Sequence, residues 1–213
     1  MLAIETVRPM LLDERKEVPP DEDAYVAEPK FDGYRVIGQF GDGQCQLRSR
    51  NGADCSRWFQ EVADALGAAQ CGRMIVDGEM CVLDASGRSD FEALHARARR
   101  RRYMEGTEPV TFCVFDLLVE NGLDLTQEPL LARKGALQRL WGFIAPAHTL
   151  YVQHISGDDI PHPITWLFQQ ALQHQLEGII GKREDSIYEP GIRSKSWFKL
   201  KRPGAVPPKR FKR

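Results

Sequence analysis

The sequence has few cysteines, and their arrangement excludes two classes of protein. Five thiols, those of Cys45, Cys55, Cys71, Cys81 and Cys113, are scattered along 213 residues without a CxxC pair. An odd and unclustered set excludes a disulfide-stapled secreted domain and a structural zinc site. The five histidines are equally dispersed, so a histidine metal cluster is not indicated. We expect the thiols to be reduced and mostly buried.

Long hydrophobic runs are absent, and so is a recognisable targeting signal. No apolar stretch approaches the roughly 20 residues that a membrane-spanning helix needs. The N-terminal residues MLAIETVRPM lack the basic-then-apolar pattern of a secretory signal. With 42% hydrophobic and 28% charged residues, the chain has the composition of a globular protein with a substantial core. We therefore expect a cytoplasmic protein without membrane contact.

Acidic residues are missing from the C-terminal end, where positive charge accumulates. From Arg193 onward there are nine Lys or Arg and no Asp or Glu, and the stretch RARRRR at 97–102 holds five more arginines. The formal net charge is only −1, so the rest of the chain is net acidic. Such segregated positive charge is typical of a protein with one face for a polyanion.

Hydrophobic patterns predict strands and helices in an irregular order. Strand patterns occur at 25–32, 34–41, 44–50, 73–84, 109–122, 149–155, 176–184 and 194–202. Helical spacing occurs at 56–70, 90–104, 129–143 and 164–175. Ser56 and Asp90 are the predicted N-caps of the first two helices.

The order of these elements indicates an α+β fold with largely antiparallel sheets and packed helices, because there is no regular βαβ rhythm and no repeat. Gly41-Asp42-Gly43 predicts a hairpin, and Asp77-Gly78 predicts a turn or a bulge. We expect an irregular lead-in over 1–24, one folded domain over 25–202 and a basic, disordered tail over 203–213.

Lys30 in the segment KFDGYR is the first candidate for chemistry. On a strand, Lys30 and Asp32 share a face, which fits either a surface ion pair or a nucleophile with a neighbouring acid. A free lysine has a pKa of about 10.4, so roughly one in a thousand is neutral near neutral pH. A nucleophilic lysine therefore needs burial or nearby cations to lower its pKa. EGIIGK (177–182) and SWFKLK (196–201) offer such cations, although lysines also protect exposed strand edges.

Six segments in this order resemble the nucleotidyltransferase superfamily of ATP-dependent DNA ligases, RNA ligases and mRNA-capping guanylyltransferases. The segments are KFDGYR (30–35), SRNG (49–52), VDGEM (76–80), FCVFDLL (112–118), EGIIGK (177–182) and SWFKLK (196–201). The resemblance runs from about residue 25 to residue 202 and is strongest to DNA ligases, among them the bacterial end-joining type. It implies the DNA ligase/mRNA-capping nucleotidyltransferase (ATP-grasp-like) fold.

The resemblance also implies a reaction and its cofactors. Lys30 would attack the α-phosphorus of ATP, form a lysyl-AMP and release pyrophosphate. The AMP would pass to the 5′-phosphate of nicked or broken duplex DNA, and the 3′-OH would then seal the nick with release of AMP. Glu177 would hold Mg²⁺ or Mn²⁺, which suits a hard cation that needs few carboxylates beside phosphate oxygens.

Further side chains acquire roles by the same resemblance. The adenine would contact Glu28 and stack on Phe115, the ribose would bind Arg35 and Glu79, and the phosphates would bind Arg50, Lys182, Lys199 and Lys201. The residue patterns leave plainer alternatives open for three of them. Glu79 could satisfy a turn, Phe115 could belong to the core, and Arg50 could pair with an acid.

Two expectations concern the partners of this domain. In these ligases an OB-fold domain normally follows the adenylation domain, and no such segment follows SWFKLK here. We expect either an excised domain or a natural minimal protein, monomeric, whose OB-fold domain or repair partner is supplied separately. For Arg99, Arg100, Arg101 and Arg102, contact with the DNA backbone and a solvated helix end remain alternatives. An RNA ligase, or a non-catalytic nucleic-acid-binding module that keeps the fold, is the alternative function.

Overall fold

Two β-sheets enclose the central part of the molecule, and helices cover their outer faces. The structure is a computed structural model that describes residues 2–205. A core cluster between the sheets combines Val26 and Trp197 from one sheet with Ile37, Ile75 and Phe115 from the other. The α+β prediction with largely antiparallel sheets is confirmed.

The smaller sheet has four strands in the order β1-β10-β9-β2. Its strands are β1 (Leu11–Arg15), β2 (Tyr25–Pro29), β9 (Gly178–Arg183) and β10 (Arg193–Lys201). Strand β1 runs parallel to β10, whereas β9 pairs antiparallel with both β10 and β2. The sheet therefore joins the two segments that carry most of the candidate lysines to strand β2, which ends just before Lys30.

The larger sheet has six strands, in the order β4-β3-β5-β6-β7 with β8 paired to β6. Its strands are β3 (Tyr34–Gly41), β4 (Gln44–Ser49), β5 (Met74–Cys81), β6 (Thr111–Glu120), β7 (Leu123–Asp124) and β8 (Thr149–Tyr151). The predicted hairpin joins β3 to β4, with Asp42 at φ 53° and Gly43 at φ 77°. Strand β5 continues through Asp77-Gly78 without a turn, and the bulge lies opposite it on β6, where the register passes from Asp116 to Val114 and leaves Phe115 as the extra residue.

Four helices flank the sheets: α1 (Gln60–Gly67), α2 (Phe91–Ala98), α3 (Leu130–Ile144) and α4 (Pro163–Gln173). Helices α1, α2 and α3 pack on the larger sheet, and α4 packs on the smaller one. Asp90 caps α2, since its carboxylate accepts a hydrogen bond from the Ala93 N–H at 2.9 Å. Ser56 does not cap α1, because a short 3₁₀ helix at Ser56–Phe59 precedes it. Within residues 2–205 no helix has the length and apolar character to cross a bilayer.

The predicted irregular lead-in over 1–24 was wrong. Leu11–Arg15 forms β1, and Ile4, Val7 and Met10 are buried in the core between the sheets. The five residues LLDER carry little strand signal of their own, because their hydrogen bonds come from β10 at the far end of the chain. The folded unit therefore begins well before residue 25.

The predicted helix at 90–104 ends earlier, at Ala98. Arg97 is buried and ion-paired with Glu61, while Arg101 has a left-handed φ of 53°. A helix through this stretch would align like charges three and four residues apart, which is unfavourable. Residues 99–102 thus form an exposed turn. Of the predicted basic tail at 203–213, residues 206–213 lie outside the described part of the chain.

Candidate active site

A cavity of about 770 Å³ opens between the two sheets. All ten side chains proposed for the nucleotide and the metal line it: Glu28, Lys30, Arg35, Arg50, Glu79, Phe115, Glu177, Lys182, Lys199 and Lys201. The arginines at 99–102 do not line it. The sequence segments that are far apart along the chain therefore converge on one site.

Strand alternation explains why the smaller sheet presents so many charges to this cavity. Successive side chains of a strand point to opposite faces, so residues two apart share a face. Trp197 is paired with Lys182 across β10 and β9, and Lys199 and Lys201 follow Trp197 at steps of two. Glu28, which lies on β2 two residues before Lys30, is paired with Ile180 on β9. Lys30 itself lies just beyond β2, which ends at Pro29.

Lys30 forms an ion pair with a carboxylate. Its Nζ donates a hydrogen bond to Glu177 Oε2 at 2.5 Å, and Lys201 Nζ lies 3.4 Å from the other oxygen of Glu177. The Lys30 side chain is only 14% exposed, so this charge sits in a mostly dry environment. The sequence predicted cations as the neighbours that prepare this lysine, whereas its direct ion-pair partner is Glu177.

Three carboxylates converge near Lys30. Burial raises the pKa of Glu79 to about 7, although the positive charges of Arg35 and Lys30 oppose this. Burial also raises the pKa of Asp32, and the charge of Glu177 adds to that effect. Within the described residues no three His, Cys, Asp or Glu side chains can hold a metal ion by themselves. A group of neighbouring carboxylates is nevertheless a suitable setting for an added cation that also binds phosphate oxygens.

A second charged group lies around Glu28, which is 2% exposed. Lys134 Nζ is 2.7 Å from Glu28 Oε1, and Lys182 Nζ is 2.6 Å from Glu28 Oε2. The short distances mark two ion pairs. Within residues 2–205, however, Glu28 Oε1 has no hydrogen-bond partner of acceptable geometry, and neither has Lys182 Nζ. Burial lowers the pKa of Lys182 to about 8, with Glu28 opposing the shift. Lys134 was not singled out from the sequence.

Phe115 is 8% exposed and lies against two cations. The Arg35 guanidinium and the Lys182 ammonium lie 4.4 Å and 4.3 Å from its ring centroid. The ring is therefore both part of the core and part of the cavity wall. The two alternatives that the sequence left open for Phe115 are thus compatible.

Arg35 is held by an acid that sequence reasoning missed. Its Nε and Nη2 donate to the two oxygens of Asp77 at 2.6 Å and 2.8 Å. Asp77 is fully buried and also accepts a hydrogen bond from the Tyr188 hydroxyl at 2.5 Å. This leaves Nη1 as the Arg35 nitrogen with no contact to Asp77. The segment VDGEM, which contains Asp77, was the available signal.

The outer part of the site is more exposed. Arg50 follows β4 at the cavity wall and is exposed, with no carboxylate within ion-pair distance among the residues that the structure describes. Lys199 Nζ pairs with Glu14 Oε2 on β1 at 2.9 Å. The unexpected strand β1 therefore also contributes to the arrangement of the candidate lysines.

Comparisons with a family model and with individual proteins all relate this chain to DNA ligases. A family model described as an ATP dependent DNA ligase domain matches residues 9–201. The prophage-derived DNA ligase-like protein LigB of Bacillus subtilis is 31% identical over 194 residues, which cover 91% of this chain and 67% of that protein. The multifunctional non-homologous end joining protein LigD of Pseudomonas aeruginosa is 34% identical over 198 residues, which cover 92% of this chain and only 22% of LigD.

Solved structures agree. A mycobacterial DNA ligase D complexed with ATP and MES matches with a TM-score of 0.76 and 29% sequence identity, over 94% of this chain and 62% of that one. A Chlorella virus DNA ligase-adenylate matches with a TM-score of 0.67 and 18% identity, a likeness of fold alone.

Proposed function

The chain belongs to the ATP-dependent DNA ligase domain family, and from this premise we propose that Lys30 takes AMP from ATP and passes it to a DNA 5′-phosphate for sealing. The observation that supports this most directly is the position of Lys30. It is a mostly buried lysine in a cavity of nucleotide size, which Lys199 and Lys201 also line from strand β10 of the same sheet. Nucleotidyl transfer needs an in-line nucleophile and positive charge on the non-bridging oxygens.

The proposed first step forms one bond and breaks one. Lys30 Nζ attacks the α-phosphorus, a P–N bond forms, and the bond to the β-phosphate oxygen breaks so that pyrophosphate leaves. Nζ loses two protons to solvent, one when the ammonium becomes an amine and one as the P–N bond forms. Because Lys30 Nζ is ion-paired with Glu177 in the free protein, Glu177 has to release Lys30 before attack.

The carboxylates around Lys30 fit a divalent cation. Glu177 would hold Mg²⁺ or Mn²⁺ together with phosphate oxygens, and Asp32 is close enough to interact with Glu177. A bound cation supplies positive charge to the phosphates. A Glu177 engaged in this way no longer neutralises Lys30. The remaining roles follow the sequence proposal, with Glu28 and Phe115 at the base, Arg35 and Glu79 at the ribose, and Arg50, Lys182, Lys199 and Lys201 at the phosphates.

Labelled ATP tests the proposal. We expect protein incubated with Mg²⁺ and ATP labelled at the α-phosphate to carry a covalent label on a denaturing gel, and protein incubated with γ-labelled ATP to carry none. Added pyrophosphate should remove the label by reversal, and nicked DNA should remove it by transfer. If neither Mg²⁺ nor Mn²⁺ supports labelling while ATP still binds, the chain is a binding module or depends on another domain for this step.

We propose that Arg99–Arg102 contact the backbone of duplex DNA. All four are exposed, and none has a carboxylate within ion-pair distance in the described range 2–205. Helix α2 connects them to the site, since Ser89 just before it accepts a hydrogen bond from the Asp32 N–H at 3.1 Å. Eight helical residues span about 12 Å, so the arginines suit phosphates about four nucleotides from a nick at Lys30.

Replacing Arg99, Arg100 and Arg102 with glutamine is expected to weaken DNA binding at least tenfold near 0.1 M salt. Each phosphate contact releases about 0.9 counterions from the DNA, so the loss of three contacts should make the negative slope of log K against log[salt] shallower by about 2.7. Arg101 is kept because its guanidinium covers Trp58. The matched control replaces Lys16, Arg139 and Lys195, which are exposed but scattered. Equal losses in both triple variants, measured by fluorescence anisotropy, would mean that net charge alone acts.

We further propose that additional parts complete the sealing enzyme. The chain spans about two thirds of LigB and about a fifth of LigD, so an OB-fold domain or a repair partner would clamp the duplex around this domain, a monomer acting on cytoplasmic DNA. The adenylation domain extends from before β1 to about residue 202, because β1 completes the smaller sheet. Presenting nicked DNA and nicked RNA in parallel to the labelled protein separates a DNA ligase from an RNA ligase.

A further inference from the structure

Lys134 is a buried cation without a role in the site so far. It lies on α3, its side chain has no exposed surface, and its Nζ donates to the Val152 carbonyl at 2.7 Å and the Phe115 carbonyl at 3.4 Å. Its one ion-pair partner in the described part of the chain is Glu28, at 2.7 Å. Burying an ammonium is costly unless a counter-charge accompanies it. The position of Lys134 therefore depends on Glu28.

Lys182 is held in place less firmly than Lys134. It lies 2.6 Å from Glu28 Oε2, but its Nζ has no hydrogen bond within the described residues, whereas Lys134 Nζ donates to two backbone carbonyls. Lys182 also lines the cavity that would hold the nucleotide. Two ammonium groups thus share one carboxylate, which leaves one positive charge in excess. The excess favours release of the cation that has another anion to bind, and only Lys182 faces the phosphate-binding cavity.

We propose that Lys134 is the permanent counter-ion of Glu28, which frees Lys182 for a phosphate and keeps Glu28 an ionised hydrogen-bond acceptor for adenine. This inference rests on the proposed function. The edge of adenine offers an amino donor where guanine offers a carbonyl acceptor, so an ionised carboxylate accepts from adenine and repels guanine. Lys134 is then a positioning residue that determines selectivity for ATP over GTP.

The charge balance at Glu28 supports this assignment. Burial alone would raise the pKa of Glu28, but the ammonium groups of Lys134 and Lys182 outweigh burial and lower it. If Lys134 were absent, Lys182 could leave Glu28 only by stranding a buried carboxylate. Glu28 would then either retain Lys182 or take up a proton, and a protonated Glu28 could donate a hydrogen bond to the guanine carbonyl.

A double-mutant cycle tests the inference. Lys134→Met, Glu28→Gln, the double variant and Lys134→Arg are compared with the wild type for labelling by α-labelled ATP and GTP, and for equilibrium binding of both nucleotides. We expect Lys134→Met to lower the ATP-over-GTP preference about 10- to 100-fold, and Lys134→Arg to restore most of it. In the Glu28→Gln background the Lys134→Met change should have little further effect, because the two residues act as one unit.

The alternative is that Lys134 only supports the fold through Val152 and Phe115. In that case Lys134→Met would reduce ATP and GTP use equally and its effect would add to that of Glu28→Gln, which would overturn the inference. If Lys134→Met does not fold, the double variant, which carries no stranded carboxylate, and Lys134→Arg still answer the question. If the wild type binds nucleotides but does not label, the proposed function fails, and the binding preference alone decides the role of Lys134.

Discussion

Lys30→Ala is expected to remove the covalent AMP label completely. A lysyl-AMP needs a nitrogen that can attack phosphorus, and alanine supplies none. ATP binding should persist, because Glu28, Phe115, Lys182 and Arg35 surround the rest of the cavity independently of Lys30. The measurement is labelling by α-labelled ATP on a denaturing gel, with equilibrium binding of ATP measured on the same protein. If Lys30→Ala still carried the label, a residue other than Lys30 would have to be the nucleophile.

Two further variants sharpen this result. Lys30→Arg keeps the positive charge beside Glu177 but is expected to be equally inactive, because a guanidinium with a pKa above about 12 has no neutral nitrogen to offer. Lys199→Ala is the matched control, a lysine of the same cavity that pairs with Glu14. We expect it to slow labelling without abolishing it. Equal loss in Lys199→Ala and Lys30→Ala would mean that the charge of the cavity, and not one nucleophile, limits the reaction.

Arg133→Ala is expected to lower the free energy of unfolding by about 3–5 kcal/mol, because it strands a buried carboxylate. Arg133 and Asp116 are both fully buried, and the guanidinium donates to the two oxygens of Asp116 at 2.9 Å each. It also donates to the carbonyls of Glu128 and Ser186, which joins α3 to the loop after β9. For a chain of this length the melting temperature should fall by about 6–20 °C.

A thermal or urea unfolding series measures this effect. Arg139→Ala, on the exposed side of the same helix, should change stability by less than about 0.5 kcal/mol. Replacing both members of the pair, as in Arg133→Met with Asp116→Leu, should recover part of the loss, since no charge is then stranded. If Arg133→Ala and Arg139→Ala unfold together at the wild-type temperature, the buried pair does not contribute to stability as argued.

The parts of the fold that the sequence predicted are those with local signals. The β3–β4 hairpin follows from Gly41-Asp42-Gly43. The cap of α2 follows from Asp90, whose carboxylate accepts a hydrogen bond from the N–H of Ala93 three residues later. Strand β1 could not be predicted in this way, because its partner β10 lies far along the chain. The end of α2 at Ala98 was also missed, since helical spacing continues past it into a run of arginines, where like charges three and four residues apart disfavour a helix.

The candidate site divides along the same line. The charged residues that face the cavity lie in six segments that occur in the same order as the motifs of a known family. The resemblance of these segments to the family was enough to identify the residues. Asp77, Lys134 and Glu14 support those residues from separate elements, and no local pattern connects them to their partners. The pairing of Lys30 with Glu177 was equally invisible, because it joins residues 147 positions apart.

Strand β1 has a consequence for how the site is assembled during synthesis. The Arg15 guanidinium donates a hydrogen bond to the Lys195 carbonyl, 180 residues further along the chain. Strand β1 therefore cannot pair with β10 until almost the entire described chain has been synthesised. Such pairing gives a high contact order, and closing so long a loop is slow. The larger sheet, built from nearer neighbours, can form while the ribosome is still producing β10. We therefore expect the cavity between the sheets to be completed last, because the pairing of β1 with β10 closes the smaller sheet.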